Sequence, residues 1–156
     1  MSRVRFVPSL LVLCALASVA DAGGGGKTLV NVDKNGLAIQ GYDPVAYFTQ
    51  NRPVKGDAQH ASTHAGATYR FATAEHKATF DANPAKYAPQ FGGFCAYAVS
   101  KGTTAKIEPD AFVITPDGRL LLQYDRGVVD AWNKDPDRLL KKAEANWPGI
   151  VDKNGK

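Results

Sequence analysis

Cysteine is scarce in this chain: there are two, Cys14 and Cys95, among 156 residues. A scaffold held by several disulfides is thereby excluded, and so is a cysteine-rich metal cluster of the CxxC type. Like charges are never massed, since 19 basic and 15 acidic residues are scattered and the longest basic run is the pair Lys141–Lys142. A net charge of +4 without a basic stripe argues against nucleic acid as a partner. Long apolar runs are missing after residue 22. No Walker-type glycine loop, coiled-coil heptad, internal repeat or Ser-His-Asp order is visible. What is present is 44% hydrophobic residues with 22% charged, a balance that excludes a disordered chain and fits one globular domain.

Residues 1–22 read as a secretory signal. Arg3 and Arg5 give the positive start, Phe6 to Ala20 the apolar stretch, and Ala20-Asp21-Ala22 the small-x-small cleavage pattern. The apolar stretch is short for a membrane span, which takes about 20 residues. The expectation is therefore an exported protein, periplasmic or secreted, whose mature chain has no transmembrane segment. Residues 23–37 form a glycine-rich linker and an N-terminal segment, and residues 38–150 the folded domain. Cleavage would also remove Cys14, leaving Cys95 as a lone thiol in an oxidising compartment. Such a thiol is buried, metal-bound, redox-active or paired with another molecule.

The local pattern predicts an α+β domain of short antiparallel hairpins and several short helices. Lys27 to Val32 reads as a short strand and Asn35-Gly36 as a turn. Asp43 is a good N-cap, and Pro44 suits the first position of the helix it opens. Residues 57–65 and 67–71, split by Ala65-Gly66, predict a hairpin. Thr73 caps a helix running to about Ala82, on which Thr73, His76 and Phe80 share a face. Asn83-Pro84 starts a further short turn of helix. Gly92 to Val99 is apolar throughout, and periodicity does not decide between helix and strand. Pro116-Asp117-Gly118 predicts a second hairpin. Asp135-Pro136 opens a last helix, expected to end near Asn146, before Trp147-Pro148.

Asp43, His60, His64, His76 and Cys95 are the residues suited to metal or thiol chemistry. His60 and His64 have helical i,i+4 spacing, but Ser62-Thr63-His64-Ala65-Gly66 is poor helix material. On a strand their rings would stand about 13 Å apart, too far for one ion. Both read as surface residues. A thiolate and an imidazole together suit Cu, Zn or Fe, so Cys95 and His76, with Asp43 or water completing the shell, are the candidate metal ligands. Three readings stay open: a metal-handling module, a thiol-redox protein in which His76 activates Cys95, and a non-catalytic ligand- or protein-interaction domain with a structural cysteine. Gly92-Gly93 marks a close backbone approach or positive φ. Glu108-Pro109-Asp110 reads as a turn, and the aromatic residues as core. The expected partner is a metal ion or a small ligand, and the identity of any protein partner stays open.

One resemblance covers roughly residues 38–148. Gly41-Tyr-Asp-Pro-Val-Ala-Tyr-Phe48, Tyr69-Arg-Phe71, Phe80, Asn83-Pro84, Lys86-Tyr87, the stretch Pro89 to Ala98 and Ala145-Asn-Trp-Pro148 together resemble the exported YHS domain-containing proteins of bacteria. The resemblance implies metal binding through cysteines that lie just before the Pro-Val pair and around the start of the helix after Tyr-x-Phe. Here those positions hold Asp43, Ala72 and His76. The usual thiol set is absent, and Asp43 and His76 stand as replacement ligands beside Cys95.

Overall fold

The computed structural model describes residues 26–156. Residues 1–25, where the signal sequence and most of the glycine linker were expected, lie outside the described residues. Among the described residues the fold is α+β, with six helices and two separate two-stranded antiparallel sheets.

Asp43 caps α1 (Pro44–Thr49), its Oδ1 accepting from the backbone N–H of Val45 and Ala46 at 2.8 and 3.3 Å. β1 (Asp57–His64) and β2 (Ala67–Phe71) form the first hairpin, with Gly66 taking the φ of 79° that its turn demands. β2 alternates buried and half-buried residues, and Ala67, Tyr69 and Phe71 face the core. The hydroxyl of Thr73 caps α2 (Ala74–Ala82), and Asn83-Pro84 opens α3 (Pro84–Tyr87). The undecided segment after Pro89 is a tight turn at residues 91–93 followed by α4 (Ala96–Ser100). β3 (Phe112–Ile114) and β4 (Leu120–Leu122) make the second hairpin around Gly118. Asp125 caps α5 (Arg126–Trp132), and α6 (Pro136–Asn154) closes the chain.

Three sequence expectations differ from this structure. Lys27 to Val32 is not a strand: only Val32 makes an isolated bridge, to Ala38, while Asn31 donates to the Gly92 carbonyl. His60 and His64 are both half-buried rather than on the open surface, the ring of His64 lying edge-on to Phe80 at 5.9 Å. The last helix runs on through Pro148. Trp147 packs on Phe91 and Phe94 and Ile150 is buried, so the apolar face holds a turn that proline alone would break. Reciprocal Thr28–Lys156 backbone hydrogen bonds fasten the helix end to the N-terminal segment.

Two buried clusters fill the interior. The first gathers Val45, Tyr47, Tyr69, Phe71, Phe80, Cys95, Leu120 and Leu122; the second gathers Phe91, Val99, Leu121, Trp132, Leu139 and Ile150. Full burial of each such side chain stabilises the fold by about 1.5–3 kcal/mol. Glycine is obligatory at position 92, where φ is 58° and a Cβ would meet the Leu29 carbonyl oxygen at 2.0 Å. Glu108 to Ala111 is a turn, and its Pro109 carbonyl accepts from the Tyr47 hydroxyl at 2.8 Å.

Candidate functional site

The face predicted for α2 turns His76 toward the start of α1. Phe80, one turn further on, is 1% exposed and anchors the helix in the core. His76 Nδ1 thereby comes to 2.6 Å from Asp43 Oδ2, with the two side chains 15% and 0% exposed. The same Oδ2 accepts from the backbone N–H of Ala72 at 2.8 Å. Positions 43, 72 and 76, separated in sequence, thus meet around one carboxylate.

That carboxylate is fully occupied. Its two oxygens receive three backbone N–H groups and one imidazole, which compensates the burial of a group as polar as this one. The consequence falls on the ring. A carboxylate only accepts, so Nδ1–H donates to Asp43, and a neutral ring held this way would present its lone pair on Nε2, an orientation that metal-binding histidines commonly have. The arrangement supplies one oriented nitrogen donor with a carboxylate behind it.

Cys95 is elsewhere in chemical terms. It is 2% exposed, sits at the start of α4, and its thiol donates to Gln123 Oε1 at 3.5 Å. The same Oε1 accepts from Tyr97 N–H at 3.0 Å. The structure therefore unites two of the three candidate ligands and gives the third a different partner. Among the described residues no group of three or more His, Cys, Asp or Glu side chains is arranged to hold a metal ion. Asp43 cannot ligate without surrendering a hydrogen bond, so the three residues do not fit a resident ion. Nor do His60 and His64 join them: the His64 ring is tilted against Tyr69 and edge-on to Phe80.

Gln123 is the residue that sequence reading missed. It is wholly buried in the strand-like exit of β4, and its Nε2 has no partner. A polar residue after the run Leu120-Leu121-Leu122 was the available signal. Burial also pushes the Tyr69 hydroxyl up to about 12 and raises that of Tyr47 further, where the charges of Asp110 and Asp43 add to the effect. No helix of the described residues is long and apolar enough to cross a membrane. Compared with family models, with curated proteins and with solved structures, the chain matches none.

Proposed function

We propose that this is an exported metal-handling module of YHS type, working through His76 rather than through Cys95. The observation that carries the reading is the 2.6 Å contact between His76 Nδ1 and the buried Asp43 carboxylate. The three positions where the resemblance places metal-binding cysteines are the ones that converge here. A ring locked from behind loses little freedom on binding, while a single protein donor leaves the remaining positions of the ion to water or to another molecule. Such a site exchanges its ion quickly, which suits transfer better than storage. Cu, Zn and Fe all accept imidazole nitrogen, and the donor set does not choose among them. Cys95 is structural in this reading, since a thiol that is buried and hydrogen-bonded to an amide has neither the access nor the cationic neighbour that reactivity requires.

Titration of the mature protein with Zn(II), followed by the imidazole resonances of its three histidines, tests the proposal. His76 is expected to shift first, Cys95→Ala to bind as the wild type does, and His76→Gln to lose the response. A response abolished by Cys95→Ala would return the thiol to the site. No response at His76 would leave an interaction domain without metal chemistry.

A further inference from the structure

The strongest unexplained regularity is a spacing. Ala38 N–H donates to the Thr68 carbonyl at 2.9 Å, and Gln90 N–H donates to Leu120 at 2.9 Å. Gly41 N–H bonds Ala38 as Gly93 bonds Gln90; Tyr42 bonds Ile39 as Phe94 bonds Phe91, all at 3.0 Å. Lys77 bonds Thr73 as Val129 bonds Asp125, and Asn83 bonds Phe80 as Asp135 bonds Trp132. In each case donor and acceptor both recur 52 positions later, as the residue numbers show. The side-chain caps follow: Thr73 Oγ1 accepts from His76 N–H, and Asp125 Oδ1 accepts from Val128 N–H.

Backbone conformation repeats with the same period. Ile39 (φ 51°), Gln40 (53°) and Gly41 (81°) form a left-handed turn, and so do Phe91 (54°), Gly92 (58°) and Gly93 (76°). A positive φ is costly for a β-branched isoleucine, so two such turns at a fixed interval are not a chance of local propensity. Asn83 (φ −155°, ψ 73°) matches Asp135 (φ −158°, ψ 63°), each followed by a helix-opening proline. Gly66 and Gly118 turn the two hairpins at φ 79° and 80°. Phe80 and Trp132, each 1% exposed, hold the same place on α2 and α5.

We infer that residues 38–84 and 90–136 are two copies of one structural unit, and that the second copy is a converted site. Asp43 corresponds to Cys95 and His76 to Val128, so both members of the carboxylate–imidazole pair have been replaced. The cap has moved with them. In the first copy Asp43 Oδ1 accepts from Val45 N–H; in the second, Tyr97 N–H is satisfied instead by Gln123, which stands where the first copy has Phe71. The unpartnered Gln123 Nε2 is what this exchange left behind. Val128 packs against the cluster that contains Cys95, where the missing imidazole would lie. Cys95 is thus the counterpart of Asp43, not its co-ligand.

This inference needs no metal and is tested without one. The full mature chain carrying Cys95→Asp with Val128→His is expected to fold cooperatively and to melt within about 10 °C of the wild type. The new carboxylate would meet the Tyr97 N–H and the idle Gln123 amide. A fourth histidine should show the downfield ring proton of a carboxylate-bound Nδ1–H, the signature also expected of His76. Val99→Asp with Val128→His, which buries a charge at an ordinary core position of α4, is expected not to fold. If the first variant is as damaged as this control, the correspondence of position 95 with position 43 is overturned. Amide exchange on the wild type gives a second reading: Gly41 and Gly93, Tyr42 and Phe94, Asn83 and Asp135 should be protected in pairs. Slow exchange at the first member and free exchange at the second throughout would overturn the duplication itself.

Discussion

Two helices begin in this molecule with the same backbone and opposite chemistry. α1 is capped by the side chain of its own N-cap residue, Asp43, which also reaches Ala72 and His76; α4 has no side-chain cap at Cys95 and borrows an acceptor from Gln123. The first solution concentrates four hydrogen bonds on one buried charge, so its removal strands several donors at once. The second leaves the task to one amide oxygen, that of Gln123, which takes the Tyr97 N–H at 3.0 Å and the Cys95 thiol at 3.5 Å. A polar site is therefore structural and chemical together in the first half, whereas the second half is held mainly by Leu121, Trp132 and the α6 face.

The largest test of that contrast is Asp43→Ala. Three backbone N–H groups and His76 lose their acceptor inside the protein, and the expected loss is about 3–5 kcal/mol in denaturant unfolding. Cys95→Ala removes one long thiol hydrogen bond and a small volume, so about 1–2 kcal/mol is expected in the same measurement. Equal losses would show that Asp43 is not the keystone its contacts make it.

Alkaline pH separates the halves by another route. The Tyr69 hydroxyl has its folded-state value at about 12, raised by burial, against an ordinary 10.0. A raised value means that the folded state holds the proton more tightly. Its contribution is complete below pH 10 and is lost as pH rises toward 12. A rise from 10.0 to about 12 corresponds to about 2–3 kcal/mol at most. Its counterpart position in the second half is Leu121, which has no proton to lose. Hydrogen exchange between pH 9 and 11 should therefore loosen β2 before β4, and Tyr69→Phe should shrink that difference. Simultaneous loosening in the variant and the wild type would mean that Tyr69 does not drive it.

Much of the first half was legible because its signals are local. Asp43-Pro44, Thr73 and Asn83-Pro84 announce helix starts through backbone chemistry that acts within three residues, and the inward turn of His76 follows from its spacing to Phe80. The partner of Cys95 was not legible. Gln123 lies 28 positions away on another element, and no periodicity connects the two. The internal repeat was hidden for a related reason. Backbone hydrogen bonds and φ angles carry it, and few residue identities do: Gly41 and Gly93, Gly66 and Gly118, Pro84 and Pro136 recur, while Asp43, Phe71 and His76 do not. The end of α6 escaped because a proline inside a helix reads as a stop until the packing of Trp147 and Ile150 is known.

The smallest expected effect concerns the outer face of α2. Lys77 Nζ lies 2.6 Å from Asp81 Oδ2, one turn on, and Asp81 also accepts from the Ser62 hydroxyl on β1. Both hydrogen bonds hold the Asp81 carboxyl below the ordinary carboxylate range. The corresponding residues are Val129 on α5 and Asn133 at its C-cap, so the second half folds without this pair. Both charged groups are well exposed, and lysine preceding aspartate is the weaker order against the helix dipole. Lys77→Ala should accordingly cost no more than about 0.5 kcal/mol at low ionic strength, with the difference fading at 1 M salt. A larger, salt-insensitive loss would mean that the aliphatic stem of Lys77 packs on the helix face, and that α2 leans on its surface in a way α5 does not.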